Sequence, residues 1–197
     1  MMRKPSRRKL STCWSLTTAL PYPRVTSLDK ESLESFLESV AETTPAPGGG
    51  TSAAVTAALA ASLVEMAAGL ASAEDAAERA RALRAEALRL AEEDLTSYGP
   101  VLEAQTEADR MTALDAASEP PAQIAELAAE LAELGVEIAG SASDAVRGDA
   151  LTGLTLAEAA AAAAARLVEI NLGSGPVLER AQRAAERASN ARESAAG

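Results

Sequence analysis

A chain of 197 residues with 29 Asp and Glu against 18 Lys and Arg carries a net charge of −11, which repels nucleic acid and anionic membrane surfaces, so neither is expected as a partner. With no His, one Cys (Cys13) and lysines only at Lys4, Lys9 and Lys30, the body of the chain excludes a Ser-His-Asp triad, a histidine or thiolate metal site, a disulfide framework and a lysine Schiff base. Alanine supplies 49 residues and aromatics only 2%, which predicts an all-α bundle packed through small side chains. Acid–base chemistry then falls to Asp, Glu, Tyr, water or a substrate, no metal is expected, and the lone Cys fits a reducing cytoplasm.

Residues 1–25 are basic (Arg3, Lys4, Arg7, Arg8, Lys9, Arg24), hold the only Trp, and lack the sustained apolar run of a signal peptide. They read as a disordered extension, leaving 26–197 as one helical domain. Ser27 is placed to cap a helix over 28–42 with Leu28, Phe36, Leu37 and Val40 inward. The stretch Thr44-Pro-Ala-Pro-Gly-Gly-Gly-Thr51 follows. Its prolines stiffen the lead-in, and Gly48, Gly49 and Gly50 let a ligand approach the main chain. Thr51 or Ser52 is expected to cap the next helix, whose free N–H groups suit a carboxylate or phosphate. Three glycines alone favour a plain connector with no ligand, since the run is neither a P-loop nor a dinucleotide fingerprint.

The second helix is expected over 51–72, with Leu59, Leu63, Met66 and Leu70 as its apolar stripe and alanine on the opposite face. A third helix runs over 74–97, where Leu83, Ala87 and Leu90 line one side and Asp94 continues the series. A carboxylate on an inward stripe needs a partner or a task. If the two helices form a hairpin turning near Ala73, Gly50 lies 23 residues before the turn and Asp94 lies 21 after it, which sets them side by side. Tyr98, one turn on, supplies a hydroxyl or a stacking face, or else packs on Pro100 as a rim residue.

Gly99-Pro100 break the third helix, a further stretch reaches Ala117, Pro120-Pro121 open another to Ala139, and 140–148 read as a connector. Two last helices are expected over 149–172 and 176–195. On the first of these, Asp149, Gly153, Leu156, Ala160, Ala163, Leu167 and Asn171 share a face with polar ends. Asp149 is either an N-cap or a site acid, and a dimer is needed to bring it to Asn171. The runs 53–71 and 154–172 approach membrane-span length, but Glu65, Glu158, Arg166 and Glu169 interrupt them, so they read as buried helices of a soluble bundle. Glu65 reads as a surface or interface residue.

Three ordered segments resemble the cyclodeaminase/cyclohydrolase family, which includes the cyclodeaminase half of formiminotransferase-cyclodeaminase and the methenyltetrahydrofolate cyclohydrolases. Ala46-Pro47-Gly48-Gly49-Gly50-Thr51 looks like its Pro-Gly-Gly-Gly-Ser opening. Asp94 followed four residues later by Tyr98 is similar to its acid and aromatic, and Gly148-Asp149-Ala150 precedes Ile170-Asn171-Leu172, with Asp149 21 residues before Ile170, as its third element does. The resemblance implies a cytoplasmic, homodimeric, all-helical enzyme that opens or closes the one-carbon bridge of tetrahydrofolate, with no cofactor beyond that substrate. It also implies Asp94 and Asp149 as catalytic residues and Pro47, Gly48, Gly49, Gly50, Thr51, Tyr98 and Asn171 as substrate-binding residues. The competing expectation is a non-catalytic helical interaction module that keeps the scaffold.

Overall fold

Alanine content sets the architecture seen in a computed structural model, which describes Leu28 and residues 31–195. Those residues form helices only: α1 (Leu33–Ala41), α2 (Gly49–Leu70), α3 (Glu74–Ser97), α4 (Gly99–Glu103), α5 (Glu107–Ser141), α6 (Asp144–Leu172) and α7 (Pro176–Ser194). Residues 1–25 and the expected cap Ser27 lie outside the described residues. The all-α class expected from composition holds.

Helices α2, α5 and α6 make the centre, with α3 laid on α2 and α7 closing over α5 and α6. The main core joins Ala54, Ala57 and Ala61 of α2 to Leu90 of α3, Ile124 and Leu131 of α5 and Leu154 of α6. Small residues allow the helices to approach closely. A Cβ on Gly153 would stand 2.9 Å from Val64 Cγ2 and 3.2 Å from the Ala60 carbonyl, so α2 and α6 touch backbone to backbone there. One on Gly135 would stand 3.1 Å from Leu154 Cβ, the matching contact between α5 and α6.

The expected stripe of α2 faces outward instead. Leu59, Met66 and Leu70 are 55%, 43% and 64% exposed, whereas Ala57, Ala60, Ala61, Ala67 and Ala68 are fully buried. Close helix contact selects the smallest side chains for the seam, so the larger ones are left on the rim. The stripe of α6 shifts likewise: Ala163 is exposed, and Ala157, Ala161, Ala164 and Val168 are buried. Glu65 bridges to Arg81 and Arg84 of α3 at 2.9 Å each. Both α2 and α6 are long and apolar enough to cross a membrane by length and composition, and half or nearly half of each apolar window is buried against the other helices.

The α2–α3 hairpin turns through Ala71, Ser72 and Ala73. Ser72 takes φ 57°, with its N–H on the Gly69 carbonyl and that of Ala73 on the Ala68 carbonyl, the double closure of a left-handed helix end. Helix α1 is shorter than expected and starts from a different cap: Ser32 Oγ accepts from Ser35 N–H at 3.1 Å. Phe36 is buried, but Leu37 is 57% exposed.

Of two breaks expected between helices, one does not occur and the other is shorter than expected. Helix α5 continues through Pro120 and Pro121, because both residues are buried among neighbouring helices and tertiary packing holds a backbone that would otherwise end there. The connector expected over 140–148 shrinks to Ala142-Ser143, since single glycines at Gly140 and Gly148 only weaken a helix. As α6 starts at Asp144 with Ser143 as its cap, Asp149 is not an N-cap but sits in the second turn.

Candidate active site

The glycine run ends in the start of α2. Gly48 is the N-cap of α2 and brings no capping side chain of its own; of the first-turn N–H groups, that of Thr51 is taken by the Asp94 carboxyl group. Neither expected cap acts as one: Ser52 Oγ donates back to the Gly48 carbonyl at 2.8 Å, and Thr51 is 0% exposed with its hydroxyl turned to α3. The site therefore keeps backbone donors at a positive helix end.

Helix α3 brings Asp94 to that end, as the hairpin register predicts. Thr51 Oγ1 donates to Asp94 Oδ2 at 2.8 Å. The fit is tight enough to explain Gly50: an added Cβ would lie 2.1 Å from Asp94 Oδ1, so any other residue displaces the carboxyl group. Burial pushes the Asp94 pKa up from the ordinary carboxylate value, while hydrogen bonds from the Thr51 hydroxyl and backbone pull it partly back. A carboxyl group held this way, with its pKa raised by burial, is one that can hold and release a proton beside the cavity.

These groups border a cavity of about 140 Å³. Pro45, Ala46 and Gly48 to Gly50 form one wall, Asp94, Ser97 and Tyr98 of α3 and its end another, and Ala117, Pro121, Leu167 and Asn171 the rest. Of the residues anticipated from sequence, the cavity gathers Gly48, Gly49, Gly50, Asp94, Tyr98 and Asn171. Pro47 stands beside it in the loop without lining it, and Thr51 lies behind Asp94. Asp149 is not on the wall; 22 residues of continuous helix separate it from Asn171, about 33 Å.

Tyr98 packs on Val101, Leu114 and Ala117, so it joins the wall with its ring seated on an apolar cluster. Sequence reasoning did not single out Ser97, Ala117, Pro121 and Leu167 as site residues. Ser97 was detectable, one turn from Asp94 on the same face. The α5 pair was not, because reading Pro120-Pro121 as a helix start separates Ala117 from Pro121.

The family described as formiminotransferase-cyclodeaminase matches residues 32–190. Among solved structures, the chain is similar to the formiminotetrahydrofolate cyclodeaminase from Thermotoga maritima, at 24% identity and a TM-score of 0.79, over 85% of this chain and 94% of that one. No curated protein matches the chain.

Proposed function

Because the chain belongs to the formiminotransferase-cyclodeaminase family, we propose that it is a folate one-carbon enzyme, acting at the bridge between N5 and N10 of tetrahydrofolate. It either hydrolyses 5,10-methenyltetrahydrofolate to 10-formyltetrahydrofolate or cyclises formiminotetrahydrofolate with loss of ammonia. The observation that carries this reading is Asp94, half-buried, held by Thr51 and pressed on Gly50, in one cavity with the glycine start of α2.

In the hydrolytic direction Asp94 takes a proton from water as its oxygen bonds to the cationic methenyl carbon. The C–N5 bond then breaks as the formyl C=O forms, Asp94 passes its proton to N5, and the hydroxyl proton is released to solvent. In the cyclising direction N10 attacks the carbon of the protonated formimino group, Asp94 takes the N10 proton and passes it to the amino nitrogen, and the C–N bond breaks to release ammonia and leave the methenyl cation. Both routes need one carboxyl group that gives and accepts a proton, and burial tunes Asp94 for that task. The first-turn N–H groups of α2 suit an anionic oxygen of the substrate, and Tyr98 and Asn171 bound the reacting end. Pro47 shapes the loop, and Thr51 acts through Asp94.

A cavity of about 140 Å³ takes the reacting end of a folate and not the whole molecule. We therefore place the remainder of the ligand beyond it, in a cytoplasmic homodimer. Support for the dimer comes from the outward stripe of Leu59, Met66 and Leu70, an apolar face on a chain of net charge −11. Asp149 enters the chemistry only if a second copy carries it to the cavity.

The test is to offer both folate substrates to one purified sample, following methenyltetrahydrofolate by absorbance and formiminotetrahydrofolate by released ammonia. Turnover of either one supports the enzyme and chooses the reaction. Failure to bind or convert either supports the non-catalytic interaction module instead.

A further inference from the structure

The prolines of α5 leave a backbone acceptor in the cavity wall. In an α-helix the carbonyl of Ala117 takes its hydrogen bond from the N–H of residue 121, and in a tighter 3₁₀ turn from residue 120. Both are proline and have no N–H. Ala117 is nevertheless 3% exposed, and a buried carbonyl needs a donor. The hydroxyl of the next residue is committed elsewhere: Ser118 Oγ donates to the Leu114 carbonyl at 2.7 Å. A helical carbonyl points along the axis toward the residue four positions on, and a proline ring there tilts it outward. Ala117 and Pro121 both line the cavity that holds Asp94. The space between them therefore opens onto that cavity.

We propose that the Ala117 carbonyl is a ligand-binding acceptor, freed by Pro120-Pro121 to receive an N–H group of the substrate and held by water when the site is empty. Its neighbour Asp94 presents oxygen atoms as well, and two acceptors on one small cavity suit a planar nitrogen group with several hydrogens, such as an amidine or an aminopyrimidinone. The glycine loop supplies the complementary donors. This assignment rests on the folate reading for the identity of the ligand but not for the vacancy of the carbonyl.

Two measurements on the full chain separate these parts. Calorimetric titration with 5-formyltetrahydrofolate compares the wild type with Pro121→Ala, which restores the N–H that would occupy the Ala117 carbonyl, and with Pro120→Ala, which restores the one directed at Ala116. Pro121→Ala is expected to bind about tenfold more weakly, with helicity retained, and Pro120→Ala to match the wild type. Unchanged affinity in Pro121→Ala would overturn the proposal. If the wild type does not bind this folate, the folate reading fails, and a crystal structure of the ligand-free chain judges the carbonyl alone. A water within hydrogen-bond distance of the Ala117 oxygen upholds it, whereas the N–H of Ala122 closing onto that oxygen refutes it. The same structure decides the matter if Pro121→Ala does not fold.

Discussion

Asp94 leaves room for nothing larger than glycine at position 50. A methyl group on Gly50 would fall 2.1 Å from the carboxyl oxygen, while alanine would favour the helix there by about 1 kcal/mol. Gly50→Ala should therefore keep its helical circular dichroism and lose roughly a hundredfold in turnover, since the acid is displaced by about an ångström. Thr51 acts on the proton rather than on position alone. Its hydroxyl stabilises the ionised carboxylate, so removing it in Thr51→Val raises the Asp94 pKa further. The acid limb of the pH–rate profile should move to higher pH in that variant and stay in place in Thr51→Ser. Burial also ties Asp94 to stability. With its folded pKa above the unfolded value of about 3.9, its contribution is fully present below that value and is lost as pH rises through the elevated one.

At the scale of elements, helix contact is governed by what is missing. Gly153 lets α2 and α6 meet at the Ala60 carbonyl and Val64, and Gly135 does the same for α5 and α6. Gly153→Val should destabilise the fold by about 1–3 kcal/mol in urea unfolding, because the backbones must separate. The same alanine seams explain which elements were legible. The α2–α3 hairpin follows from residue counting, since helical rise is fixed and Asp94 must return to Gly50. Which face of α2 is inward does not, because leucines mark the core only where neighbours leave room, and here alanine takes the contact. Nor does α5: two prolines argue for a break, and only burial on several sides keeps the helix continuous. That error hid Ala117 and Pro121 from the site while Asp94 and the glycines stood out.

For the molecule as a whole, two apolar helices run through an acidic chain. The centre is held by close alanine packing, and ion pairs across the exterior, such as Arg180 with Glu119 and Glu126, or Arg187 with Glu133, lace α7 to α5. Half-exposed pairs of this kind contribute about 0–1 kcal/mol each, so they orient α7 more than they stabilise it. The outward leucines of α2 are left without cover in one copy. Leu59→Glu combined with Met66→Glu should convert a dimer into a monomer in sedimentation velocity; a wild type that sediments as a monomer would refute the dimer. What gives the bundle its proposed chemistry is one carboxyl group held at a glycine helix start. The direct measurement is the loss of methenyltetrahydrofolate absorbance and the release of ammonia from formiminotetrahydrofolate by the wild type and Asp94→Asn at equal helicity. Wild-type turnover of at least one substrate, abolished in Asp94→Asn, is the predicted result, and undiminished turnover by Asp94→Asn would contradict it.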